Sequence, residues 1–353
     1  MSTLVRSFDF FDLFKKFIRH SKSGRRLQPN GKRISHGTLR NYEFAQMLLR
    51  RFSEEKNFAL HIRSVRRLSQ RELAVDKRYW KNLYKEFTNY LYNDLGFFDN
   101  YVGMNIKIIK TFLGFLNKDL GLAVGEFHKS FYVPKEEISI FPLMPEELNF
   151  LIYNKEFEAS LKARIKEVKD FFVFGCTVAL RFSDLVALTK SHIRTVGDTC
   201  YLAVRSIKTN TETLIKLPDY AADIIRKYSK LKKRLLPRFN NANLNKFIKR
   251  LLEQAGFTQP VCFTRNKRGV AIPTTKNSPV TRFCDVATTH TMRRTAITTM
   301  LSLGVPEQLV RKISGHSTAS KEFYRYVFWA QTYQDQEMEK MFAALGRKKL
   351  AIL

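Results

Sequence analysis

The stretch at residues 289–316, THTMRRTAITTMLSLGVPEQLVRKISGH, decides how this chain is read. It opens on His290-x-x-Arg293 and keeps helical period over about 291–303, where Gly304 stops it. Pro306 starts a second helix over 306–313, which ends at Gly315-His316. Upstream, a long apolar helix over 161–180 ends in Ala179-Leu180-Arg181-Phe182-Ser183-Asp184-Leu185. Between the two lie β-like runs at Thr199–Arg205 (TCYLAVR) and 213–217 (TLIKL), with Lys208-Thr209-Asn210 in the turn. Further helices are expected at 219–234 and 243–256. A last one at 319–345 carries Phe323-Tyr324-Arg325-Tyr326-Val327 near its start. The fold class is therefore mainly α, with a small β-hairpin in an α+β C-terminal domain over 143–353.

Each signature alone has an ordinary structural reading: a helix-end cation, a chance H-x-x-R, a Gly-His helix junction, a surface tyrosine. In order along one domain they supply what transesterification of a phosphodiester needs. Its transition state gathers negative charge on non-bridging oxygens. Arg181 and Arg293 can hold those oxygens bidentately and remain charged. His290, one turn before Arg293, shares its helix face and can accept a proton or donate to phosphate. His316 is a further donor, and Lys208 at a hairpin tip can protonate a leaving alkoxide. A tyrosine hydroxyl is a competent nucleophile beside cations that lower its effective pKa.

Charge points to the same substrate class. The chain of 353 residues has 62 Lys+Arg and 32 Asp+Glu, a net charge of +30. Such a balance calls for a polyanionic partner, nucleic acid first and a membrane surface second. No segment nears the roughly 18 uninterrupted apolar residues of a spanning helix, and the N-terminus lacks the features of a signal peptide. The excess is uneven: residues 1–70 carry net +11, 71–130 only +2, and the remainder +17.

Three upstream regions are expected. Residues 1–70 read as a small helical domain. Phe10, Phe11, Phe14 and Phe17 form one stripe and Phe44, Met47, Leu48 and Phe52 another, with a basic, turn-rich stretch at 22–37 between them. Residues 71–125 hold a helix pair. Trp80, Leu83, Tyr84, Phe87 and Leu91 mark the first stripe, and Val102, Ile106, Ile109, Leu113 and Leu116 the second. Gly96 is a stop and Asp99 an N-cap for the second helix, whose Lys107 and Lys110 lie off the stripe, free to meet a phosphate backbone. Residues 126–142 are a linker, after which Pro145 opens a helix. The four cysteines (Cys176, Cys200, Cys262, Cys284) form no CxxC pair and read as buried free thiols, so a zinc site is not expected, and the apolar stripes offer no role to a cofactor.

The motif set resembles the tyrosine recombinases, the phage-integrase family. ALRFSDLVAL (179–188) is similar to the family's first-arginine box, and residues 289–316 to its H-x-x-R box running through to Gly-His. KISGH…FYRYV is most similar to integrases of Bacteroidetes phages and conjugative transposons. The resemblance implies a metal-independent DNA strand transferase that cleaves and rejoins duplex DNA at attachment sites through a 3′-phosphotyrosyl intermediate. It implies Arg181 and Arg293 as the phosphate clamp and His290 and His316 as its hydrogen-bonding partners. Lys208 would be the general acid and Asp184 an orienting acid. The family places its tyrosine nine residues after the Gly-His histidine, whereas Tyr324 lies eight after His316 and Tyr326 ten. The aromatic-x-basic-Tyr pattern favours Tyr326, with Tyr324 as the alternative. Two residues on a helix are about 200° apart, so only one hydroxyl faces the phosphate. The resemblance also implies an arm-type DNA-binding domain at 1–70, a core-binding domain at 71–125, and a homotetramer on DNA whose C-terminal tail docks on a neighbour. Accessory DNA-bending or directionality proteins, no membrane, and a bacterial cytoplasmic, nucleoid-associated setting complete it. Type IB topoisomerase-like, telomere-resolving and chromosome-dimer-resolving enzymes share these groups and are the alternatives.

Overall fold

The structure is a computed structural model, described here for residues 7–66, 68–205, 212–273 and 280–349. In chain order the elements are β1 (Ser7–Asp9), α1 (Phe10–Ser23), α2 (His36–Glu55), β2 (His61–Arg63), α3 (Gln70–Asn89) and α4 (Asp99–Lys118). After a long irregular stretch come α5 (Pro145–Tyr153), α6 (Lys155–Ser160), α7 (Ala163–Val178) and α8 (Phe182–Val186). Next are β3 (Ile193–Val196), β4 (Thr199–Arg205), β5 (Glu212–Lys216), α9 (Asp219–Lys227) and α10 (Asn241–Gln254). Then follow β6 (Pro260–Cys262), β7 (Thr264–Lys267), β8 (Val270–Pro273), β9 (Val280–Arg282) and α11 (Phe283–Val286). The chain ends with α12 (Thr289–Ser302), α13 (Glu307–Ser314) and α14 (Tyr324–Lys349). They divide into two compact units, Met1–Ile138 with Thr264–Thr274, and Ser139–Phe263 with Thr275–Leu353.

In the first unit local signals start the helices. Asp9 accepts the Asp12 N–H at 2.7 Å to cap α1, and Ser69 with Glu72 forms a reciprocal capping box on α3. Residues 1–70 and 71–125 do not form separate cores. Phe10, Phe14 and Phe17 of α1 stack against Phe112 of α4, with ring centroids 5.2, 4.6 and 5.8 Å apart, and one apolar cluster runs from Phe10 to Phe131. The α2 stripe is Tyr42, Ala45, Leu48, Leu49 and Phe52, while Phe44 and Met47 face outward.

The hairpin β7–β8, distant in sequence, completes this unit. Its turn donates the Arg268 and Gly269 N–H groups to the buried Asp99 carboxylate at 2.8 and 2.9 Å. Asp99 is therefore not an N-cap: Phe98 holds that position, and the Tyr92 hydroxyl also donates to Asp99, at 2.6 Å. Arg265 pairs with Glu136, another buried acid, so part of the expected linker is structural. Lys110 is likewise not free for a phosphate; its ammonium donates to the Lys129 and Phe131 carbonyls at 3.0 and 2.8 Å.

In the second unit α7 is the axis, packed by α5, α9, α10 and α12. Phe171, Phe172, Phe174 and Val178 are wholly buried. The antiparallel sheet β3–β4–β5 adds a strand to the expected hairpin, with Leu202 opposite both Ile193 and Ile215. The helix expected over 219–234 stops at Lys227. Cys176 and Cys284 are buried as expected, Cys200 is half-buried, and Cys262 is exposed. Among the described residues no helix is long and apolar enough to cross a membrane.

Gly175 sets the distance between α7 and α12. A Cβ there would meet Met292 Sδ at 2.5 Å, Met292 Cβ at 3.1 Å and Leu185 Cδ2 at 3.2 Å. Gly175→Val should overpack this contact and destabilise the unit by about 1–3 kcal/mol. Urea unfolding is the check, and an unshifted midpoint would show that the helices can separate without cost.

Candidate active site

The site grows from the end of α7. Ala179 follows the last helical residue in the left-handed region (φ 55°), a conformation costing a non-glycine residue about 1–2 kcal/mol. The turn carries the chain into extended backbone at Arg181, which caps α8 and sends Asp184 inward, where it is buried. The Ala179 carbonyl accepts from Arg293 Nη1 of α12 at 2.9 Å. Nη2 of the same guanidinium lies 3.3 Å from both ring nitrogens of His316. Thus the first-arginine turn, the H-x-x-R helix and the Gly-His junction meet at one side chain.

Gly315 lets His316 reach that point. It ends α13 at φ 64°, open to glycine without strain, and the His316 N–H returns to the Arg311 carbonyl at 2.9 Å. Ser314 Oγ lies 2.7 Å from the Val310 carbonyl, to which it donates, and 2.8 Å from His316 Nδ1. With the hydroxyl proton so placed, Nδ1–H donates to Ser314 and Nε2 is left as an acceptor toward Arg293.

The electrostatics follow from burial among cations. Burial lowers the Arg293 pKa to about 10, with nearby Arg181 acting in the same sense and Tyr326 and Asp184 opposing it. Arg293 therefore stays charged at neutral pH. Burial, then Arg293, Arg181 and Arg311, push His316 down to about 3, so its imidazole is neutral.

The two tyrosines part company. Tyr326 is half-buried on a small cluster of Ala179, Ala296, Ile297, Val310 and Phe323, its ring 5.9 Å from that of His316. Burial lowers the Arg294 pKa, and the neighbouring Tyr326 partly offsets that lowering. Tyr324 is 59% exposed and lies beneath Arg311, 5.4 Å from ring centroid to guanidinium carbon. His290 stands exposed in the first turn of α12, its N–H on Thr288 Oγ1. Lys208 lies outside the described residues; strand β5 is tied to α13, where Thr213 Oγ1 donates to the Lys312 carbonyl at 3.2 Å.

The structure thus brings Arg181, Asp184, Arg293, His316 and Tyr326 together, with His290 one turn from Arg293. Sequence reasoning missed Arg311, Ser314 and the contact of Arg294 with Tyr326. A partial signal for Arg311 was present, since Glu307 precedes it at i,i+4, the spacing of a helical ion pair. Among the described residues no three His, Cys, Asp or Glu side chains gather as a metal cluster.

The model of the phage integrase family matches residues 144–330, more than half of the chain, and the chain belongs to that family. It is a site-specific tyrosine recombinase, of a family whose members cleave and rejoin DNA without a metal. The fold is similar to a lambda integrase dimer bound to a COC′ core site, with a TM-score of 0.60, 12% identity, and 91% of this chain and 78% of that one covered. It is also similar to the Tn1549 transposon integrase in complex with a circular intermediate DNA (TM-score 0.55, 15% identity, 90% and 94% covered). A third is the XerH recombinase bound to difH substrate (TM-score 0.54, 12% identity, 90% and 81% covered). No curated protein matches the chain.

The depressed His316 pKa has a stability consequence. A group whose folded pKa falls from 6.5 to about 3 resists protonation in the native state, so its contribution is present above pH 6.5 and is lost as pH falls toward 3. Between pH 7 and 5 the loss is up to about 2 kcal/mol. His316→Asn should lose correspondingly less stability over that interval in urea titrations, and equal losses would show that the imidazole is free to protonate.

Proposed function

We propose that the chain recombines a mobile element with its target by cutting and rejoining duplex DNA through Tyr326. The observation that carries this reading is the Arg293 guanidinium, which links the Ala179 turn to His316 beside the Tyr326 ring. Two buried or half-buried guanidiniums side by side repel each other, and a phosphate between them relieves that repulsion. Arg181 and Arg293 hold the non-bridging oxygens, and Asp184 balances the pair from behind. The Tyr326 oxygen attacks phosphorus in line. Its proton passes to His290, the bond to the 5′ oxygen breaks, and Lys208 protonates that oxygen. The product is a 3′-phosphotyrosine and a free 5′-hydroxyl. Attack by the 5′-hydroxyl of a partner strand reverses each transfer, so no nucleotide cofactor is consumed. His316, neutral and anchored on Ser314, accepts from Arg293 and keeps that guanidinium aimed.

The matched structures of lambda integrase, XerH and the Tn1549 integrase are complexes with DNA, and lambda integrase is also seen as a tetramer on a Holliday junction. Their likeness supports a core-site DNA substrate and a tetrameric synapse for this chain. Residues 1–130, net +13, would supply core and arm-type DNA grip in a bacterial cytoplasm. Exposed Phe328, Met341, Phe342 and Leu345 suit docking of α14 on a neighbouring protomer.

A nicked suicide duplex bearing the attachment site traps the cleaved state and tests the reading. Covalent adduct should vanish in Tyr326→Phe, persist in Tyr324→Phe, and form about 10²–10³-fold more slowly in Arg181→Ala or Arg293→Ala. Loss of adduct in Tyr324→Phe alone would transfer the role to that residue. No adduct with the wild type would refute the reading.

A further inference from the structure

The interval from His316 to Tyr326 is ten residues, and Phe323 is the only buried residue within it. We infer that Arg311 is the positioning residue of the nucleophile: its guanidinium fixes this interval in the one arrangement that carries Tyr326 to the Arg293–His316 pair. The inference rests on Tyr326 as the attacking residue.

Arg311 is only 5% exposed, unusual for a guanidinium, and its bonds explain the burial. Nε donates to Glu307 Oε1 at 2.7 Å, one turn back on α13. Nη1 donates to the Ser317 carbonyl at 2.9 Å and reaches the Ser320 carbonyl at 3.4 Å, the two ends of the turn after His316. The guanidinium carbon lies 4.0 Å from the centroid of the Phe323 ring, a desolvated cation–π contact. Phe323 is wholly buried and touches both functional rings, 5.2 Å from His316 and 5.8 Å from Tyr326. One side chain therefore holds the start, the turn and the apolar anchor of the segment. Only the planar fork of arginine supplies donors in these directions at once; an ammonium is a point charge. Arg311 makes no contact with the Arg293 guanidinium among the bonds described, and it acts on the reaction through the placement of Tyr326.

The test uses the full-length protein on the nicked suicide duplex, with single-turnover adduct formation and duplex affinity measured for each variant. Arg311→Met should slow adduct formation by about 10²-fold, the effect of a misplacement near 1 Å, with duplex affinity changed less than about twofold. Arg311→Gln, which keeps a donor toward the turn carbonyls, should recover part of the rate. Glu307→Gln should slow it by a smaller factor in the same sense, and amide exchange over 317–323 should rise in step. Wild-type rates in Arg311→Met overturn the proposal, as do parallel losses of rate, affinity and stability with no recovery in Arg311→Gln. Should Arg311→Met not fold, unchanged rates in Arg311→Gln and Glu307→Gln overturn it. Adduct that survives Tyr326→Phe in the parent protein removes the nucleophile assignment and this inference together, whereas adduct through Tyr326 that ignores Arg311 removes this inference alone.

Discussion

A buried guanidinium is costly unless its donors are met, and Arg293 is met by the carbonyl of one residue, Ala179, and the imidazole of another, His316. That bond depends on structure outside the site. The Ala179 carbonyl points at α12 because α7 ends in a left-handed residue, and α12 is near enough because Gly175 has no side chain to hold it off. Helix packing thereby becomes active-site geometry: the contact that closes the core also brings the two arginines of the site together. Strain at Ala179 is held by the packing around it, since the residue is wholly buried among Ala296, Ile297, Val310 and Phe323.

The charges are arranged for an anion that is not a residue of the protein. Burial and the adjacent Arg181 lower the Arg293 pKa, and burial together with both arginines keeps His316 neutral. Asp184 is the buried carboxylate that keeps the pair tolerable. A site organised this way binds developing negative charge without reorganising, which is the form of catalysis that costs least at the moment of reaction. Arg294 and Arg311 extend the same logic outward, one placed beside Tyr326 and the other bonded to the backbone that leads to it.

In the first unit carboxylates do structural work. Asp99 and Glu136 are buried and each takes an N–H from the backbone of β7–β8, more than 120 residues further along the chain. Local reading assigns Asp99 to a cap because Asp at a helix start is common; the far hairpin that it binds has no local signature. The same holds for Lys110, which lies off the apolar stripe of α4 yet is occupied by two carbonyls.

The sequence by itself determined what depends on neighbours in the chain. Helical period located α4, α7, α10, α12 and α13 to within a few residues and marked the buried stripe of α3, and the ordered signatures named Arg181, Asp184, His290, Arg293 and His316, since residue type and spacing carry chemistry directly. Only the tertiary structure decided the rest. It put Tyr326 half-buried beside His316 and left Tyr324 exposed, because which way a side chain faces is a property of packing and not of spacing. It merged the first 125 residues into one core, because apolar stripes do not state their partners. It also revealed Arg311, whose role arises from two carbonyls and a ring that meet only when the chain folds back at Gly315.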